Sequence, residues 1–438
     1  MTLLAAAVTA DVTPPPGHPL GGYLSRHDAV STGTHDPLTA TLVHVCDDAA
    51  GPGVLWVALD ALGIAAATAE PIRSRIAAAA GVPADTVLVC SSHTHSGPDA
   101  WLPRRQSFTS VPPDGQLVTG LVDRLAAAAG ELGARRRPVT ASWGVAPDVG
   151  VGTNRNDPAG PHDDTAGVLT LRAADGETVA VLVDYACHPT VLNHDNLRYS
   201  ADFPGAARTV AAAGLSALAG PDTRPPAVAF LQGAAGDASP RFTRRGQSFA
   251  EAARLGGILG AAAVRGALAG EEVAVLGGVP VLHRAAVELP VRSLPAPEEL
   301  RARLERTEAA WRQLAGRPGA PETRIARSRY EGAMLLARLH EADLPPTMRL
   351  PIAVAAFGDV AWAHVPVELF ASLGQAIVKA SPYPCTRVVG YTDDYLGYVA
   401  DAAAHEAQTY EANSSFFDAA AGAALVDAVV ALLRRARD

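Results

Sequence analysis

Two hydrophobic periods alternate along this chain. Continuous apolar runs rich in β-branched residues predict strands buried on both faces: Thr39 to Cys46, Gly53 to Ile64 broken at Asp60, Val87 to Cys90, Pro138 to Val145 and Ala227 to Gln232. Gly167 to Pro189 reads as a β-hairpin, because Asp175-Gly176 is a strong two-residue turn signal between two apolar arms. Helical periodicity predicts helices over Thr68 to Ala80, Gln116 to Leu132, Gly205 to Ala219, 247–269 and Phe416 to Arg435. A charged, Ala-rich stretch at about 295–345, broken near Pro318 and Pro321, predicts a helical hairpin insertion. The last third returns to strands (352–366 and 386–391) around a helix at 367–380, and the chain opens on a short strand and a long loop. The class is α/β, a mixed β-sheet core flanked by helices, in a single domain over 1–438.

The polar residues that interrupt this pattern fall at strand ends. Val87–Cys90 stops at Ser91-Ser92 and delivers His93 and His95, which an extended backbone would point to one side. The second hairpin arm ends at His188, the strand over Ala227–Gln232 opens into Gly236-Asp237-Ala238-Ser239-Pro240-Arg241, and Pro366 is followed by Glu368. Imidazole nitrogens with a carboxylate oxygen are a zinc donor set, and catalytic zinc sites keep a position open for water. Spacing alone leaves open whether these side chains meet.

Composition narrows the chemistry. Of the 438 residues 48% are hydrophobic and 18% charged, and a net charge of -9 without long single-sign runs gives no nucleic-acid surface. No run reaches the roughly 20 uninterrupted apolar residues of a membrane span. The opening MTLLAAAVTADVTPPP lacks Lys and Arg and makes a poor signal peptide, so a cytoplasmic location is expected. Cys46, Cys90, Cys187 and Cys385 form no CxxC and read as reduced thiols. The sole lysine, Lys379, lies outside any GK[ST], which argues against P-loop and pyridoxal phosphate chemistry.

Seven strings in order resemble the neutral/alkaline, non-lysosomal ceramidase family: DVTPPPG from Asp11, SSHTHSGPD from Ser91, TNRNDP from Thr153, YACHPTVL from Tyr185, GDASPR from Gly236, VPVELF from Val365 and YLGYVADAAAHEAQTYEA from Tyr395. The resemblance implies a ceramidase catalytic-domain fold holding one zinc ion per chain on His93, His188, Glu368 and Tyr398. It places His95 beside the metal, gives Arg155 and Tyr410 to the scissile group, and makes Ser239 the serine long discussed as a nucleophile. The implied activity is hydrolysis of an amide (N-acyl) bond by metal-activated water, with acyl transfer, cyclisation or ester hydrolysis on a small metabolite as the alternative. The partner is then a small-molecule or lipid-like N-acyl substrate. No sequence feature pairs Ser239 with a base, so an orienting role is the stronger reading.

The chain departs from the pattern at Arg241, where the family usually has asparagine, and no C-terminal immunoglobulin-like domain is expected. An amidohydrolase barrel would show a regular eightfold βα alternation, against which the hairpin at Asp175-Gly176 argues, and metallo-β-lactamase chemistry would want HxHxDH where Ser96-Gly97-Pro98 follows His95. A scaffold that had lost catalysis would lack some of the matched positions.

Overall fold

The computed structural model describes residues 2–47, 51–103, 114–220, 223–272, 280–317, 320–339 and 344–438. Its main sheet contains β1 (Leu3–Asp11), β2 (Thr39–Asp47), β3 (Gly51–Leu59), β4 (Val87–Ser91), β5 (Arg137–Ala146), β6 (Ala166–Ala173), β7 (Thr178–Tyr185) and β8 (Ala227–Gln232). The strand order is β8-β7-β6-β5-β1-β2-β3-β4, with the two-residue strand Glu271–Glu272 beside β5. The outermost pairs, β7 with β8 and β3 with β4, are parallel, and the pairings between them are antiparallel.

Side-chain alternation explains the unbroken apolar runs. Val87 and Val89 of β4 face a core shared with helices α1 (Ala66–Ala80) and α2 (Gly115–Gly130), whereas Leu88 and Cys90 face the opposite way. In β7, Val181, Val183 and Tyr185 face α3 (Asp202–Ala219) and α4 (Phe249–Ala269), while Ala180 and Leu182 join Leu88 and Cys90. Both faces of the strands are therefore covered, and neither demands polar residues.

What covers the second face is another sheet, β9 (Val281–Pro290), β10 (Thr347–Phe357), β11 (Val360–His364) and β12 (Cys385–Val389), paired in that order. Trp56 of β3, Trp143 of β5 and Trp362 of β11 meet edge to face between the sheets, with Trp362 centroids 6.1 Å and 5.3 Å from the other two. Such pairs add about 0.5–1.5 kcal/mol each beyond burial. Arg387 of β12 donates from Nε to the buried carboxylate of Asp184 on β7, and Trp362 Nε1 donates to the same carboxylate at 3.4 Å. Beyond the second sheet lie further helices. The predicted hairpin is α5 (Pro297–Leu314) and α6 (Pro321–Leu339); α7 (Ala371–Ala380), α8 (Tyr410–Ser414) and α9 (Ala421–Arg437) follow. Ile377 of α7 and Leu425, Val429 and Leu432 of α9 pack on Leu350, Val354 and Ala363. The layers run helix, sheet, sheet, helix, and the fold is the expected α/β class.

Several boundaries differ from the sequence reading. The opening strand is nine residues long and pairs with β2 along its whole length; its alanines have low strand propensity, which burial between two neighbours overrides. The β9 strand was not predicted because most of its residues are part-exposed or exposed, which blurs the alternation. The last helix begins at Ala421 instead of Phe416, since Phe416 and Phe417 are buried in a turn where Ser415 Oγ accepts from the Phe417 amide. Among the described residues α4 is the one helix long and apolar enough to cross a membrane, yet its Leu255, Leu259, Ala263 and Ala267 sit in the core.

Candidate active site

The ends of β4, β7 and β8 and the segment after β11 converge. The Ser91 amide donates to Tyr391 O and the Ser92 amide to Leu59 O, taking the chain out of the sheet before His93. His93 adopts a left-handed conformation, φ 66°, and its amide donates to Ala61 O. Non-glycine residues rarely hold this conformation unless surrounding structure enforces it. The two histidines thus converge through a turn and not through strand pleating, the expected device; their rings lie 4.9 Å apart at 89°. Gly22, at φ 97°, passes directly over His95, where a Cβ would lie 2.3 Å from Nδ1.

Hydrogen bonds to backbone carbonyls set the tautomers. His93 Nδ1 lies 2.7 Å from Leu62 O, and His188 Nδ1 lies 2.6 Å from Ala235 O and 3.1 Å from Ala238 O. Carbonyls only accept, so in each ring Nδ1 carries the proton and Nε2 presents a lone pair. Those two lone pairs meet one carboxylate oxygen: Glu368 Oε2 is 3.2 Å from His93 Nε2 and 3.0 Å from His188 Nε2. His95 Nε2 stands 3.3 Å from His93 Nε2, and the ligating nitrogens of His93, His95 and His188 all lie within 4.8 Å of one another. All four side chains are buried.

Burial holds His188 down at about 4 and His95 well below the usual histidine range, with neighbouring charge adding to both shifts. Burial opposes ionisation of Glu368, but its contacts with His93 and His188 win and keep its carboxyl well below the ordinary carboxylate range. Nε2 of His93, His95 and His188 thus crowds with Glu368 Oε2 at one focus, a set of nitrogen and carboxylate-oxygen donors. That donor chemistry fits a borderline-soft divalent cation such as zinc better than magnesium or calcium, which prefer all-oxygen shells.

The remaining predicted residues form the walls. Glu368–Leu369 pairs in parallel with Tyr398–Val399, setting the two side chains alongside. Tyr398 accepts a hydrogen bond from Arg155 Nη2 at 2.9 Å, and its ring is 6.4 Å from that of His188. Tyr410, at the start of α8, has its ring 6.0 Å from that of Tyr398. Ala238–Ser239 pairs with Thr153–Asn154, and the Ser239 hydroxyl accepts from the Arg241 amide at 3.3 Å. Predicted metal, catalytic and oxyanion residues therefore lie in one connected region.

Three participants were missed from sequence. Tyr395 donates to Glu368 Oε1 at 2.5 Å, Glu411 accepts from Arg155 Nε at 2.6 Å, and Tyr391 stacks on His93 at 4.2 Å. Their only signal was proximity to named residues: two belong to the tyrosine-rich run ending at Tyr398, and Glu411 follows Tyr410.

No protein-family model matches this sequence, and no curated protein does. Among solved structures the fold is that of the neutral ceramidases. The neutral ceramidase from Pseudomonas aeruginosa matches with a TM-score of 0.76 at 20% identity, covering 100% of this chain and 75% of that one. A structure described as ceramidase complexed with C2 matches with a TM-score of 0.75 at 19% identity over the same shares.

Proposed function

We propose that this protein is a zinc-dependent hydrolase of the ceramidase family that cleaves an N-acyl amide bond. The observation that carries the reading is the convergence of two tautomer-fixed imidazole lone pairs on one oxygen of Glu368. The ceramidase fold and the seven ordered strings support it. His93, His188 and Glu368 would hold the metal, with Tyr398 as fourth ligand; burial pushes its phenol well above the usual tyrosine range, and the Arg155 guanidinium opposes that shift. Bound there, zinc supplies a Lewis acid that polarises an acyl carbonyl and lowers the pKa of water to about 7.

The protein groups do the rest. Glu411 fixes the Arg155 guanidinium, so this donor is already oriented where negative charge develops on the carbonyl oxygen, and Tyr410 adds a hydroxyl donor on the same wall. His95 presents Nε2 3.3 Å from His93 Nε2, where it can hydrogen-bond the attacking water or the acyl carbonyl, and burial disfavours its cation. Among the described residues Ser239 has no base at its hydroxyl, and it orients the reacting groups instead of attacking them.

Purified protein is expected to carry about one zinc per chain and to hydrolyse members of an N-acyl amine panel that includes ceramides. His93→Ala and His188→Ala should each lose the metal and roughly 10³-fold or more in turnover. Ser239→Ala should keep its zinc and measurable turnover without accumulating an acyl-enzyme. A fully active metal-free enzyme would overturn the proposal.

A further inference from the structure

Among the described residues, three arginines around this centre form no ion pair with a carboxylate. Arg241 follows the Ser239-Pro240 bend; its Nη1 donates to the Arg155 carbonyl at 3.2 Å and its Nη2 to Ser328 Oγ of α6 at 3.4 Å. Of the five N–H donors a guanidinium carries, these contacts use two. Arg244 donates to the carbonyl of Thr190, two residues beyond His188. Arg324, exposed on α6, lies close enough to repel both. Among the described residues, none of the three has an acidic group within ion-pair distance, although arginines elsewhere are paired repeatedly, as in Arg155–Glu411, Arg208–Asp60 and Arg387–Asp184.

The local charge balance is therefore positive. Glu411 is committed to Arg155, Glu368 to the histidines and Glu331 of α6 to Arg327, while Asp202 and Asp237 are pushed up by burial to about 6 and about 7. Burial and the mutual repulsion of these guanidiniums bring Arg241 down to about 10. Neutral carbonyls satisfy donors without neutralising charge, and a partly buried guanidinium gains most from a planar or tetrahedral oxyanion. Arg26, close by, is a different case: it is buried and spends its donors on the carbonyls of Gly21, His95, Asn193 and His194.

We propose that Arg241, Arg244 and Arg324 bind an anionic group, a carboxylate or a phosphate, carried by the substrate close to the bond it presents to the histidine centre. This rests on the amide-hydrolase reading for the identity of that bond, and it makes the substrate an N-acyl amino acid or N-acyl phosphoamine in preference to an uncharged N-acyl amine. The hairpin α5–α6 supplies the outermost arginine and so takes part in recognition.

The test uses N-dodecanoylglycine, its uncharged carboxamide and N-dodecanoyl-O-phosphoethanolamine, each measured for hydrolysis and, by titration calorimetry, for binding. One or both charged compounds should bind roughly tenfold or more tighter than the carboxamide and show a correspondingly higher kcat/KM, and the stronger of the two identifies the anion. Arg241→Gln/Arg244→Gln should erase the preference, acting mainly on KM. Arg324→Glu, exposed and so expected to fold, should cut it about threefold. If charged compounds bind preferentially and the preference disappears in the variants, yet none is hydrolysed, the anion site stands and the hydrolase reading fails. If all are hydrolysed without preference, if none binds, or if the variants weaken charged and uncharged compounds alike, the anion site is overturned.

Discussion

Individual side chains here act mostly by constraining one another. Tyr395 holds Glu368 Oε1 and leaves Oε2 for the histidines, so Tyr395→Phe should weaken zinc affinity about 10–100-fold in a chelator competition titration, with little loss of fold. Asp202 shows the cost of such constraint. Its carboxylate accepts from the Leu192 and Phe203 amides in a buried pocket, and burial raises it to about 6. Because the folded value lies above the unfolded one, its contribution is most favourable below about pH 4, declines up to about pH 6 and is flat above, a swing on the order of 3 kcal/mol. Asp202→Asn cannot ionise but loses one acceptor, so its melting temperature relative to the parent should be lower at pH 4 and rise by pH 7.5. A difference that is constant with pH would show that Asp202 stays ionised throughout. His93, His95, His188 and Glu368 were legible because polar residues at the ends of apolar strands are conspicuous; Tyr395 and Glu411 were not, since nothing in a sequence says which of several neighbouring hydroxyls or carboxylates turns inward.

At the level of strands and helices, the two sheets are fastened by Trp362 and by the Arg387–Asp184 pair. Arg387→Leu would leave Asp184 buried without its cation and should cost about 3–5 kcal/mol in urea denaturation, whereas Asp184→Leu/Arg387→Leu should recover much of that loss. Equal costs for the single and double variants would assign the effect to packing. Elements buried on both faces, such as β4 and β7, were readable from their unbroken apolar runs. Part-exposed β9 and the five-residue α8 were not, because neither offers a window long enough or regular enough to show a period.

For the whole molecule, apolar strands and helices gave the class, but the division into two stacked sheets depends on which apolar face meets which, and periodicity carries no information about partners. Leu88, Leu169 and Leu182 look alike in sequence to Val87 and Val89; only the fold separates those that meet helices from those that meet the second sheet. That second sheet draws three of its four strands from residues 347–389. During synthesis the inner face of the main sheet, with Trp56, Leu88 and Leu182, therefore waits uncovered while residues 347–438 are added. At about 5–20 residues per second this takes roughly 5–20 s. A ribosome stalled before Thr347 would therefore present a wide adhesive surface for a chaperone to shield.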